Sequence, residues 1–263
     1  MEHPAYAQLR RVTDTASVLL CDNPGLMTLD GTNTWVLQGP GSDEMVVVDP
    51  GPDDDDHVGR IASLGKIALV LISHKHGDHT DGIDKLVDRT GATVRAVGSG
   101  FLRGLGGPLS DGEVIDAAGV RITVLATPGH TADSLCFVLD DVRGDGRGAV
   151  LTADTVLGRG TTVIDNEDGS LRDYLESLRR LRGLGRRAVL PGHGPDLDDL
   201  EAVAAMYLAH REQRLAQVRD ALEVLGADAG ARQIVEHVYT DVDEKLWDSA
   251  EWSVQAQLDY LRE

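Results

Sequence analysis

The densest chemistry in the chain lies in Ile72-Ser73-His74-Lys75-His76-Gly77-Asp78-His79, where four metal-ligating side chains occupy six positions directly after an apolar run. Imidazole nitrogens and carboxylate oxygens are donors that zinc and its first-row neighbours accept, so this density reads as a metal centre. A strand that ends abruptly in a loop lets alternate residues point in different directions. His74 and His76 can therefore serve one ion while Asp78 and His79 serve a second. Further donors must come from elsewhere: His130 in Thr127-Pro128-Gly129-His130-Thr131, Asp154 in Thr152-Ala153-Asp154, and His193 in Leu190-Pro191-Gly192-His193-Gly194. Each follows a strand-like run, which puts five of the nine histidines on loops that a rigid scaffold can bring together. His3, His57, His210 and His237 have no such placement. A lone histidine on an apolar face is more often a satisfied core group than a ligand, but seven donor-type residues agree here. Zinc is the default ion, and iron or manganese accept the same donors.

The elements that must position these donors are short β-branched runs at 34–37, 45–48, 68–72, 93–97, 122–125, 136–139, 150–152 and 188–190, which read as strands. Several are continuously apolar and so buried on both faces, which predicts an α/β fold with sheets covered by helices. The clearest helix spans 171–182, with Leu171, Tyr174, Leu175, Leu178 and Leu181 on one face. Ser170 followed by Asp173 resembles a capping box, and Gly183 offers a left-handed residue past the last turn. Beyond residue 197 there is no strand pattern, only a long helix ending near Gly226, a short one over 231–238 and a last one from Glu244. Asp53-Asp54-Asp55-Asp56 reads as a solvated turn, because a like-charged block repels itself. Arg143-Gly144-Asp145-Gly146-Arg147-Gly148 reads as a hairpin loop.

Composition narrows the function. The 263 residues carry 25 Lys plus Arg against 44 Asp plus Glu, a formal charge of −19, and 41% are hydrophobic. That describes a soluble acidic chain with a real core, and it excludes disorder and small disulfide scaffolds. Cys21 and Cys136 give no disulfide framework and suit a reducing compartment. The start, Met1-Glu2-His3-Pro4-Ala5, lacks the basic and apolar parts of a secretory signal, so a cytoplasmic location is expected. The longest apolar run, 202–209, has eight residues, far short of the roughly 20 that a membrane helix needs. From Leu200 onward six Lys plus Arg face thirteen Asp plus Glu, a poor surface for duplex DNA. The one basic run, Arg179-Arg180-Leu181-Arg182-Gly183-Leu184-Gly185-Arg186-Arg187, could track a phosphate backbone, but a solvated helix end explains it better.

The set His74-x-His76-x-Asp78-His79 with His130, Asp154 and His193 resembles the metallo-β-lactamase superfamily over roughly residues 15–195. The resemblance implies a four-layer αβ/βα sandwich with the metals at one edge of two packed sheets. It also implies two Zn2+ ions, one held by His74, His76 and His130 and the other by Asp78, His79 and His193, with Asp154 bridging. Such a pair would make a bridging water into a hydroxide nucleophile and polarise the carbonyl or phosphoryl group under attack, with Asp78 and His193 as catalytic residues.

Asn23-Pro24-Gly25 and Gly31-Thr32-Asn33-Thr34-Trp35 resemble the lactamase-beta-two-like family, with Trp35 where that family carries Tyr. The tail, with His210-Arg211-Glu212-Gln213-Arg214 and Ile234-Val235-Glu236-His237-Val238-Tyr239, is similar to its winged-helix-like C-terminal subdomain. A catalytic domain over 1–196 and a helical, winged-helix-like subdomain over 197–263 follow as expectations. The family implies a single-stranded RNA phosphodiester or a small ester or thioester as substrate. Asn33 is a candidate to bind that substrate or to brace its own turn. A glyoxalase-II-like thioester hydrolase with weak β-lactam turnover is the alternative, although Ser134 stands where that pattern carries His. A mono-iron persulfide dioxygenase ranks lower. A non-enzymatic interaction module fits less well, since structural zinc sites are closed by four ligands and this pattern leaves room for substrate. The oligomeric state is not readable from the sequence.

Overall fold

A computed structural model describes residues 5–140, 147–240 and 243–262. His3 and positions 143–146 of the expected hairpin loop lie outside the described residues. The first half of the chain runs β1 (Leu9–Arg11), β2 (Ala16–Leu20), β3 (Asn33–Leu37), β4 (Glu44–Val48), α1 (Asp55–Ser63), β5 (Lys66–Leu71), α2 (Gly77–Thr80), α3 (Ile83–Thr90) and β6 (Val94–Arg95). These six strands form one sheet in chain order, antiparallel through β4 and parallel from β4 to β6. Then come β7 (Val114–Ala117), β8 (Val120–Ala126), β9 (Leu135–Leu139), β10 (Ala149–Ala153), α4 (Leu171–Gly183) and β11 (Ala188–Pro191), followed by α5 (Leu200–Leu225), α6 (Ala231–Val238) and α7 (Trp247–Arg262). The second sheet has the order β11-β10-β9-β8-β7, with α4 crossing between the parallel pair β10 and β11.

Strand side chains alternate between faces, and here both faces are covered. Trp35, Leu37, Val46, Val48 and Leu71 of the first sheet meet Ile122, Phe137, Leu139 and Leu151 of the second in the central core. The opposite faces pack on helices: Val36, Val47 and Val70 on Val58, Ile61, Ile83 and Leu86, and Val138, Val150 and Val189 on Tyr174, Leu178 and Tyr207. The result is helix, sheet, sheet, helix, the four-layer α/β sandwich expected from the sequence. A fourth cluster, with Val218, Ala221, Ile234, Val235, Val254 and Leu258, joins the end of α5 to α6 and α7. The long helix α5 therefore belongs to two cores, since Leu200, Ala204 and Leu215 pack against the second sheet's outer layer.

The eight expected strands are present, and β1, β2 and β7 join them. The first and last are sheet edges whose exposed residues give no hydrophobic signal. In β2 the short run Val18-Leu19-Leu20 fits a buried helix or strand equally well. At α4, Ser170 does cap by accepting from the Asp173 backbone N–H, but its own N–H donates to the Gly129 carbonyl, not to Asp173. Gly183 stays helical, and Gly185 at φ 71° takes the left-handed turn. The aspartate run is more than a turn: Asp54 caps α1, Asp55 and Asp56 face the positive end of its dipole, and Lys85 pairs with Asp53 and Asp55. Among the described residues no strand follows β11 and no helix is long and apolar enough to cross a membrane.

Candidate metal centre

All the sequence-derived donors leave the ends of β5, β8, β10 and β11 on one rim of the sandwich. His74, His76, His130 and Asp154 converge as one group and Asp78, His79 and His193 as another. In the first, His76 Nδ1 lies 3.0 Å from His74 Nε2 and 3.1 Å from His130 Nε2. In the second, His193 Nε2 is 3.3 Å from His79 Nε2 and 3.1 Å from Asp78 Oδ2. Asp154 lies between them: Oδ2 is 3.7 Å from His130 Nε2 and 3.4 Å from His193 Nε2, and Oδ1 is 3.5 Å from His79 Nε2.

The outer nitrogen of each imidazole is tied to the scaffold, and this sets which nitrogen keeps its lone pair. His130 Nδ1 donates to the Val163 carbonyl at 2.7 Å and His193 Nδ1 to the Gly31 carbonyl at 3.1 Å. His79 Nδ1 donates to Asp49 Oδ2 at 3.0 Å. Ser73 gives its hydroxyl proton to Asp49 Oδ2 at 2.6 Å, so its oxygen accepts from His74 Nδ1 at 2.9 Å. His76 directs Nε2 toward Asp165 Oδ2, 3.4 Å away. Five inward-facing nitrogens are thereby left as acceptors, and acceptors at 3.0 to 3.3 Å repel unless positive charge lies between them. Asp154 Oδ1, buried without a hydrogen-bond partner, makes the same demand. The donor set fits divalent cations.

Burial, aided by His79, holds His74 well below its ordinary pKa, and burial lowers His130 too. Burial also opposes charge on His79 and His193, yet Asp78 and Asp154 outweigh it, holding His79 well above its ordinary value and raising His193 to about 9. Burial works against the carboxylates as well, but His79 and His193 pull Asp78 down to about 2 and Asp154 well below the carboxylate range. The carboxylates call for positive charge, and protons and metal ions compete for the same nitrogens.

Backbone conformation makes this packing feasible. Ala153, just before Asp154, and Asp49, after β4, are non-glycine residues at positive φ, 44° and 56°, a costly state held by their surroundings. Gly192 must lack a side chain, since a Cβ there would sit 2.4 Å from Asp154 Oδ1. Asn33 does not line the cleft: its amide donates to the Pro191 and Gly194 carbonyls at 3.0 and 2.9 Å, bracing the loop that carries His193. Of its two candidate roles, the brace is the one with a geometry. Asp49 and Ser73 escape the sequence reading, although an aspartate ending the apolar run Val46-Val47-Val48 was a usable signal. The centre opens on a cavity of about 320 Å³ whose walls include Leu26, Met27, Leu29, Leu157 and Val163, with His76, Asp78, His130, Asp154 and His193 at its floor.

A family model for the metallo-beta-lactamase superfamily matches residues 27–193, and one for a beta-lactamase associated winged helix domain matches 231–263, the region of α6 and α7. Lactamase-like protein nscB of Trichophyton equinum is 32% identical over 83% of this chain and 64% of its own length, so the chain spans less than two thirds of that relative. Atrochrysone carboxyl ACP thioesterase dmxR1 of a Cryptosporiopsis species is 30% identical over 84% of this chain and 66% of that one. A solved beta-lactamase domain protein from Burkholderia ambifaria superposes with a TM-score of 0.80 at 21% identity, covering 99% of this chain and 89% of that chain, a likeness of fold.

Proposed function

Because the chain belongs to the metallo-beta-lactamase superfamily, we propose that it is a binuclear zinc hydrolase acting on a small thioester or related ester. The observation that carries this reading is the pair of donor groups, joined by Asp154, at the floor of an apolar-walled cleft. His74, His76 and His130 would hold one ion and Asp78, His79 and His193 the other, with Asp154 shared. Bound there, such ions supply Lewis acidity, which lowers the pKa of water and polarises the group under attack. Iron and manganese accept the same nitrogen and carboxylate donors, so elemental analysis of the purified protein decides the metal. Asp78 is partly exposed to the cleft and accepts from the Thr32 hydroxyl at 3.3 Å, which positions it to orient the attacking water. His193, beside it on the same floor, has its Nδ1 tied to the Gly31 carbonyl, which leaves Nε2 to hold the ion that would face the oxygen on which negative charge grows. The apolar walls seat an acyl chain and exclude competing water. In the proposed division of labour, residues 1–196 carry the chemistry and 197–263 wall the substrate, although α5 packs into both cores.

RNA is the less suitable substrate because four of the five arginines in the basic run already meet carboxylates. Arg180 makes two contacts of 3.0 Å with Asp111, Arg187 reaches Asp140, Arg186 reaches Asp199 and Arg179 reaches Glu176. Ser170, at the other end of α4, is hydrogen-bonded beside His130 through Gly129, so at about 1.5 Å per residue the run begins roughly 14 Å away along the helix. The test sets acyl-thioester hydrolysis beside cleavage of an end-labelled unstructured RNA. Thioester turnover should vanish with a chelator and fall by roughly 100-fold or more in Asp78→Ala. RNA cut by the active protein, spared by Asp78→Ala, and unaccompanied by thioester turnover would overturn the proposal.

A further inference from the structure

Next to the metal cleft lies a second cavity, also of about 320 Å³, and Leu26, Met27 and Gly160 to Val163 line both. Its far wall comes from α5 and the C-terminal helices, including His210, Arg211, Arg214, Tyr239 and Ser253, and among the described residues no Asp or Glu lines it. That is unusual in a chain with 44 acidic residues against 25 basic ones, where most arginines are paired with carboxylates. Arg211 is 3% exposed, donates to the Thr162 carbonyl, and lies 5.1 Å over the Tyr174 ring, yet its Nε is buried without a hydrogen-bond partner. Arg214 lies 4.5 Å over the Tyr239 ring and donates to the Gln217 amide oxygen. Neither arginine forms an ion pair among the described residues. His210 Nδ1 is likewise buried and without a partner. A buried guanidinium with no counter-charge is costly, and Arg211 with the half-buried Arg214 and an imidazole makes a fork that suits an oxyanion.

We propose that this cavity is an anion subsite of the same active centre, taking the phosphate at the far end of a thioester's thiol arm. The acyl group and the scissile bond lie in the metal cleft, and the arm crosses the shared wall of Leu26, Met27 and Gly160 to Val163. The proposal rests on the thioester reading above. Phosphate is favoured because its non-bridging oxygens can be shared between two guanidiniums, in a dianionic monoester and equally in the monoanionic diester of a carrier. The same phosphate ends the prosthetic arm of an acyl-carrier protein and occurs within acyl-coenzyme A, so offering one acyl group on both carriers identifies the source by the faster turnover.

The decisive comparison uses S-acyl pantetheine with and without its 4′-phosphate, on zinc-loaded protein. The phosphorylated thioester should have a kcat/KM higher by roughly tenfold or more, expressed in KM, and Arg214→Gln should bring the ratio of the two substrates close to one. Equal kcat/KM values for both thioesters in the wild-type protein would overturn the subsite while leaving thioester hydrolysis standing. Arg211 and Arg214 would then be braces for Tyr174 and Tyr239. If neither thioester is turned over, the thioester reading fails, and calorimetry with the non-hydrolysable S-methyl ether of phosphopantetheine decides the subsite. Binding that weakens when the phosphate is removed and in Arg214→Gln keeps it, and no binding removes it. An oligoribonucleotide that binds through Arg214 where the ether does not would assign the cavity to nucleic acid and overturn the proposal.

Discussion

Asp49 joins two histidines of different donor groups, accepting from His79 directly and from His74 through the Ser73 hydroxyl. A single buried carboxylate thus fixes two tautomers, which is how a chain makes acceptors point inward before any ion arrives. His57 shows the same economy away from the metals. Thr34 gives its proton to the Asp49 carbonyl at 2.7 Å, so its oxygen accepts from His57 Nε2 at 2.8 Å, which fixes the proton of the ring on that nitrogen. Burial lowers the His57 pKa from 6.5 to about 4, against the opposing pull of Asp54. The folded state therefore resists a proton that the unfolded chain accepts. This stability is fully present above pH 6.5 and is lost as pH falls toward 4, by up to about 3 kcal/mol. Denaturant titrations of wild type and His57→Gln should show a steeper loss in the wild type between those limits. Parallel curves would show that His57 does not titrate this way.

Elements decide where the donors land. The parallel strands β4, β5, β10 and β11 end on the same rim, and the loop after β11 must pass close enough for His193 to approach Asp154 and His79. Gly192 permits that approach, because a Cβ would lie 2.4 Å from Asp154 Oδ1 and 2.9 Å from His79 Cε1. Gly192→Ala should leave the circular-dichroism spectrum intact while metal affinity falls by about 10- to 100-fold, since the two groups it displaces are a proposed ligand and the proposed bridge. Undiminished metal content after dialysis would mean that the loop has slack the structure does not display. Asn33 and the Trp35 indole, which both donate to the Pro191 carbonyl, are the reason to expect none.

At the scale of the whole molecule, the sandwich brings four chain-distant loops together, and their inward acceptors repel each other without cations. Ions that bind only the folded form stabilise it by about 2.7 kcal/mol per site when in roughly 100-fold excess over Kd. For a chain of this length a kilocalorie moves Tm by about 2–4 °C. Chelation should therefore lower Tm by about 5 °C or more and re-addition of zinc should restore it. An unchanged Tm would mean that the donors bind no ion tightly. The helical tail adds a different contribution, because α5 is both an outer layer of the sandwich and the scaffold of the α6 and α7 cluster. Substrate-facing residues can thus come from both parts without a mobile linker between them.

The seven candidate donors, which the fold brings into two adjoining groups, were legible from the sequence because imidazoles and carboxylates clustered at the ends of apolar runs have few other uses. The buried strands and α4 were legible because both faces, or one periodic face, had to be apolar. Edge strands β1 and β7 were not, since solvent makes no such demand, and neither was the true left-handed residue, Gly185, two positions beyond Gly183. Proximity was the part only the tertiary structure could decide. The tautomers depend on acceptors such as Gly31, 162 positions from His193, and on Asp49, 30 positions from His79. The cationic cavity likewise exists only because α5 lays His210, Arg211 and Arg214 beside a loop some fifty residues earlier, where Arg211 meets Thr162. Residue types fix which chemistry is available, and packing fixes which groups share a site, because hydrogen bonds and Coulomb forces act over ångströms in space whatever the separation along the chain.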